Sequence, residues 1–172
     1  TATIDYSIVT KAAGEADSDI NEVGIQGASN NEITNNSTIS AGGSGIVVDD
    51  NATIINTGKI STRSNESSVV KIGSGTITNE GMITTSFIET KGIFGTGGAL
   101  TVNNTGTISA EDGIYFSAED GINSNNSSIT INNNIGGVIS GQFYEASRGI
   151  YVEDASATTT IINAGRISGV GT

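Results

Sequence analysis

Four adjacent acidic pairs are the groups in this chain best suited to chemistry: Asp49-Asp50, Glu111-Asp112, Glu119-Asp120 and Glu153-Asp154. Asp49-Asp50 and Glu153-Asp154 each follow a Gly-Ile-x-Val tetrapeptide directly, which sets them in equivalent turns of a repeat. Carboxylates gathered on one face would suit Ca²⁺, which takes ~6–8 oxygen ligands. Asp49, Asp50, Glu153 and Asp154 are therefore a candidate calcium set, and no other cofactor is indicated. An acid and a base drawn from the same pairs could instead cleave a polysaccharide. Solvated turn residues that keep an edge-rich protein soluble are the plainer reading of all four pairs. The G-G-x-G-x-D nonapeptide of calcium-binding rolls is not present, because Gly42-Gly43-Ser44-Gly45 lacks the Asp two positions on.

Histidine and cysteine are both absent, so neither a nucleophile–His dyad nor a thiolate metal site can be built. Ser44 and Ser74 sit between glycines but lack the strand-to-helix setting of a nucleophile elbow. Arg148, close to Glu153-Asp154, is the one candidate base for a lyase. A non-enzymatic role is the expectation. The aromatics point to binding instead. Of eight Phe and Tyr, five (Tyr115, Phe116, Phe143, Tyr144 and Tyr151) fall in two adjoining repeats. Tyr115 and Tyr151 hold the same outward position of Gly-Ile-Tyr-Phe/Val, and the insertion carrying Phe143 and Tyr144 is expected between them. Tyr115, Phe143, Tyr144 and Tyr151 form a candidate surface for sugar or protein recognition. Ordinary cross-rung packing, with Phe116 inward, is the competing reading.

The elements that position these groups are written in a refrain, I-x-N-x-G-x-I-S/T. It reads Ile54-Ile55-Asn56-Thr57-Gly58-Lys59-Ile60-Ser61, and returns at Ile77 to Thr84, Val102 to Ser109 and Ile161 to Ser168. Ile33 to Ser40 carries Ser37 in place of the Gly. In Ile131 to Ser140 an extra residue leaves the register of Asn133 and Asn134 open. A second element, Gly45-Ile46-Val47-Val48, recurs at Gly113-Ile114-Tyr115-Phe116 and Gly149-Ile150-Tyr151-Val152, more weakly at Gly24-Ile25 and Gly92-Ile93-Phe94, with Val69-Val70 in the same place. The interval between repeats starts near ~20 residues and lengthens along the chain, as expected of a coil of fixed circumference with surface insertions.

Three short strands per repeat cannot form a sheet alone and must pair with the same strands of the next coil, ~4.8 Å away. The fold class expected is all-β, a right-handed parallel β-helix of about six to seven coils. Residues 1–22 read as an irregular N-terminal strand and acidic loop, and 23–172 as the β-helix. Isoleucines at either end of each refrain point inward. Between them a corner ladder of Asn35, Asn56, Gly58, Asn79, Gly81, Asn104, Gly106, Asn163 and Gly165 turns the chain. There Gly would supply a positive φ, and Asn would adopt a left-handed conformation or stack amide on amide.

Composition agrees. Twenty-six isoleucines stand against one leucine, Leu100, which favours strand over helix. Proline is absent, as suits a backbone committed to ladders. The net charge of −11 argues against nucleic-acid partners and anionic membranes, and no apolar run approaches the ~20 residues of a membrane span. The first residue is Thr, and neither end shows a capping helix, so a longer polypeptide is expected.

The phrases Ala52 to Ser61, Leu100 to Ser109 and Thr160 to Ser168, with the Gly-Ile-x-Val element, resemble the passenger repeats of Gram-negative autotransporters and related large secreted adhesins. The resemblance covers roughly residues 23–172. It implies an extracellular or cell-surface location, reached by export through the periplasm. It implies adhesion or cell–cell aggregation through a host-cell or cell-surface glycan or protein receptor, or through self-association, with no direct membrane insertion by this segment. A carbohydrate-active β-helix, a polysaccharide lyase or tailspike-like hydrolase, is the alternative it leaves open. An ice-binding solenoid is disfavoured by the uneven repeat lengths.

Overall fold

A computed structural model of the chain describes residues 2–4, 8–9, 23–117, 127–143, 146–153 and 156–170. Every regular element among them is a β-strand. The alternation of β-branched residues with Thr, Ser and Asn suits a pleated, half-buried surface.

The strands form three parallel sheets. The first holds β1 (Ala2–Ile4), β4 (Glu32–Asn35), β7 (Ala52–Asn56), β10 (Gly75–Asn79), β13 (Ala99–Asn104), β16 (Ser128–Asn133) and β19 (Thr158–Asn163) in that order. The second holds β2 (Ile8–Val9), β5 (Thr38–Ala41), β8 (Lys59–Thr62), β11 (Met82–Thr84), β14 (Thr107–Ala110), β17 (Val138–Gly141) and β20 (Arg166–Ser168). The third holds β3 (Ile25–Gly27), β6 (Ile46–Val48), β9 (Ser68–Ile72), β12 (Lys91–Gly95), β15 (Asp112–Phe116) and β18 (Ile150–Val152). Each strand pairs with the strand three places on in the chain, so every coil lays one strand in each sheet. This is a parallel β-helix. Its first two strands fall inside the segment 1–22 that the sequence sets apart, and they pair with β4 and β5. The acidic loop at 11–20 lies outside the described residues.

Three isoleucine-rich ladders fill the interior. Ile33, Ile54, Ile77, Val102, Ile131 and Ile161 stand in register on the first sheet. Ile39, Ile60, Ile83, Ile108, Ile139 and Ile167 do so on the second. Ile25, Ile46, Val70, Ile93, Ile114 and Ile150 complete the triangle. From the second coil of each ladder to the coil before the last, these side chains are essentially inaccessible to solvent. Phe116, two residues past Ile114 of the third ladder, is the largest fully buried side chain among the described residues, and Gly95 opposite it explains how it fits. A Cβ on Gly95 would lie 2.6 Å from the Phe116 ring.

The corner between the first and second sheets is built differently from the expectation. Positive φ angles occur at Gly75, Gly97, Gly98 and Gly136, and not at Gly58, Gly81, Gly106 or Gly165. Those four are glycines because the coils approach too closely for a side chain. A Cβ would sit 1.9 Å from the Ser37 carbonyl at Gly58, 2.0 Å from the Gly58 carbonyl at Gly81, and 2.1 Å from the Gly81 carbonyl at Gly106. At Gly165 the nearest atom would be the Gly137 carbonyl, 2.3 Å away. Consecutive corner amides cause the approach: Thr57 and Gly58 both donate to the Asn35 carbonyl, at 2.9 and 3.1 Å.

The corner asparagines stack, and those from Asn35 to Asn133 are buried. Asn35, Asn56, Asn79, Asn104 and Asn133 each donate Nδ2–H to the Oδ1 of the next, ending on Asn163, at 2.7–2.8 Å. Asn133, not Asn134, holds the ladder position. The coil carries two extra residues rather than one, because Gly137 plays the part of Gly106 and the surplus is extruded at Ile135, which is 84 % exposed.

Candidate functional site

In each third-sheet strand the residue that follows the inward Ile or Val of the ladder faces outward, because successive side chains alternate between the two faces. Register therefore lines up Gln26, Val47, Lys71, Phe94, Tyr115 and Tyr151 on one outer face. The last three form an edge-to-face aromatic ladder. Phe94 and Tyr115 have centroids 5.4 Å apart at 75°, and Tyr115 and Tyr151 are 5.2 Å apart at 65°. Such pairs contribute ~0.5–1.5 kcal/mol beyond area burial. All three rings are half-buried, so each still presents surface to solvent.

Cations flank this ladder. Lys71 and Lys91 place their ammonium groups 5.6 and 5.8 Å from the Phe94 centroid, and Lys91 lies 5.3 Å from that of Tyr115. The Arg148 guanidinium stacks 3.7 Å over Tyr151. Arg148 is held from behind: Asp112 accepts its backbone N–H at 3.0 Å and its Nε–H at 3.3 Å. The Tyr115 hydroxyl donates to the Glu153 carboxylate. What this face offers is ring surface, ammonium groups and hydroxyls, the equipment of non-covalent recognition.

The other sequence-selected residues are dispersed. Phe143 makes no ring contact with Tyr115 or Tyr151. The chain after β17 instead folds back over the second sheet, and Phe143, with φ of 96°, walls a groove of about 610 Å³ together with Arg63, Phe87 and Gln142. Ser40, Ser61 and Thr84 floor it. Tyr144 lies outside the described residues, as do Asp154 and the Glu119-Asp120 pair.

Of the candidate calcium set, Asp49 and Asp50 stand far from Glu153. Asp49 and Asp50 follow β6 whereas Glu153 follows β18, and β9, β12 and β15 intervene. Four strand spacings amount to ~19 Å, too far for one ion or for the ~5–10 Å between paired glycosidase carboxylates. Among the described residues no three acidic groups converge into a metal-binding cluster. Asp50 accepts from the Ser74 hydroxyl at 3.2 Å, a turn-to-turn contact between coils. Arg148, considered as a lyase base, is committed to Asp112 and Tyr151.

Sequence reasoning missed Phe94, Lys71 and Lys91. The signal was present: Phe94 follows Gly92-Ile93 in the frame of Tyr115, and Lys71 follows Val70 in the same frame. Fold and face together define a parallel β-helix with an aromatic, cation-flanked outer strip. Comparison of the chain with protein-family models, curated proteins and solved structures finds no match.

Proposed function

We propose that this chain is an adhesive segment of a bacterial surface-exposed or secreted β-helix protein, which binds a cell-surface glycan or protein receptor through the outer face of its third sheet. The observation that carries the reading is the Phe94–Tyr115–Tyr151 ladder. Three large rings stand half-exposed on consecutive coils, where a folded core needs none of them. Recognition surfaces concentrate such rings because they supply contact area at small conformational cost. The repeat architecture supports the reading, since a stiff stack holds a linear strip in fixed register. The cysteine-free composition suits a chain exported unfolded through an oxidising compartment.

The test is a triple variant, Phe94→Ala, Tyr115→Ala and Tyr151→Ala, displayed on cells and presented to epithelial monolayers and to a glycan array. Adhesion is expected to fall at least ~10-fold, the equivalent of ~1.4 kcal/mol, while circular dichroism keeps its β signature. Undiminished adhesion by a folded triple variant would overturn the reading.

A further inference from the structure

The charge on this face runs against the charge of the chain. The protein carries a net −11, with only seven Lys and Arg in 172 residues. Three of the seven, Lys71, Lys91 and Arg148, stand beside the same three rings. Carboxylates do not neutralise them all. Among the described residues neither Lys71 nor Lys91 makes an ion pair. Of the two acids beside the rings, Asp112 pairs with Arg148, while Glu153 accepts from the neutral Tyr115 hydroxyl and keeps its charge at the Tyr151 end of the strip. An acidic protein thus presents, from two adjacent strands, two ammonium groups that make no ion pair among the described residues, beside half-buried rings.

We infer that the third-sheet face binds an acidic polysaccharide, its sugar faces packing on Phe94, Tyr115 and Tyr151 and its carboxylates reaching Lys71 and Lys91. This rests on the adhesive reading above and specifies its ligand. Two features select the occupant. The strip from Lys71 to Tyr151 covers three strand spacings, ~14 Å, so it matches an extended chain and not a compact ligand. Its charge is sparse. A duplex nucleic acid carries one phosphate per ~1.7 Å, several times more charge over that length than these cations can meet, on a chain that otherwise repels polyanions. A glycan with one carboxylate per disaccharide presents its charges at wide intervals and offers apolar C–H faces between them. Rings and cations are then used together, whereas a neutral glycan leaves the ammonium groups idle.

The experiment measures binding of the whole chain to immobilised hyaluronan, chondroitin sulfate and alginate, with carboxyl-reduced hyaluronan as an uncharged match and poly(dT) as a nucleic-acid probe. The expected result is binding to at least one acidic glycan, weakening as salt rises from ~0.05 to ~0.5 M because exposed charges are screened. Binding should fall at least ~10-fold on carboxyl reduction and in the double variant Lys71→Gln, Lys91→Gln. Lys59→Gln, on the second sheet, should leave it unchanged. Equal binding of hyaluronan and its reduced form, with both lost in the triple alanine variant, would overturn the acidic-ligand inference and keep the adhesive reading. Tighter binding of poly(dT) than of any glycan would overturn it too. If no acidic glycan binds, the inference fails, and cell adhesion by the triple variant then decides the broader reading separately.

Discussion

Asn56 donates its side-chain amide to Oδ1 of Asn79 at 2.8 Å, and neither residue is accessible to solvent. The same amide nitrogen lies 3.3 Å from the Gly58 carbonyl in its own coil and 3.2 Å from the Met82 carbonyl in the next. One polar side chain thus closes its corner and stitches it to the neighbouring coil. Every ladder asparagine from Asn35 to Asn133 repeats the link. Buried amides are tolerated only when their hydrogen bonds are made, so each rung depends on the ones beside it.

Asn79→Ala should therefore remove more than one contact. Asn56 loses its acceptor and Asn104 its donor, and each buried unsatisfied group costs about 1–3 kcal/mol. Urea denaturation should show a loss near ~3 kcal/mol. Asn163→Ala, at an exposed rung, should cost under ~1 kcal/mol. Equal costs at the two positions would show that the ladder does not stabilise the stack.

Gly81→Ala places a methyl 2.0 Å from the backbone carbonyl of Gly58, where no side-chain rotation can relieve the clash. Overpacking of this kind costs about 1–3 kcal/mol or more, and parting two coils belongs at the upper end. The adjacent exposed Glu80→Ala should stay within ~0.5 kcal/mol. Thermal unfolding of the two variants side by side distinguishes coil contact from a local turn preference.

Ile77 and Ile135 separate core from insertion. Ile77→Ala empties a fully buried rung and should cost ~2–5 kcal/mol. Ile135→Ala alters a side chain 84 % exposed and should cost less than ~0.5 kcal/mol. Chemical denaturation midpoints report both. A large cost at Ile135 would mean that the extruded residues are packed in solution.

Asp112 anchors the aromatic face from behind. Asp112→Ala strips acceptors from the Arg148 backbone N–H and guanidinium, and hydrogen bonds to charged groups contribute about 1.5–3 kcal/mol. Arg148→Ala should cost less than ~1 kcal/mol, because the Arg side chain is 45 % exposed and its pair is partly screened. Hydrogen exchange at the Arg148 amide should quicken in Asp112→Ala and stay slow in Arg148→Ala. The reverse order would place the anchor elsewhere.

The fold was legible because its cause is local and repeated. Inward isoleucines recur at the same points of each refrain, and only a stacked coil lets strands this short pair. The site was legible in part. Tyr115 and Tyr151 share a frame and stand in register, so the facing pair could be read from spacing. Phe143 could not be placed that way, since the path of an insertion depends on which surface it folds against. Lys71 was within reach of the same reading, since it follows Val70 as Tyr115 follows Ile114, and strand pairing sets it beside Phe94.

By itself the sequence determined the class of fold, the three apolar ladders and the position of every corner but the one between Ile131 and Ser140, because periodicity and side-chain shape act within a single coil. Tertiary structure decided what contact between coils controls. It assigned the ladder position to Asn133 and extruded Ile135, because the amide chain must continue unbroken from Asn104 to Asn163. It made Gly58, Gly81 and Gly106 necessary through carbonyls about 2 Å from any Cβ, not through a backbone angle. It separated Asp49-Asp50 from Glu153 by four strand spacings and brought Lys71, Lys91 and Arg148 to one row of rings. Distances along the stack depend on the number of coils and not on sequence similarity, which is why like turns lie far apart and unlike residues meet.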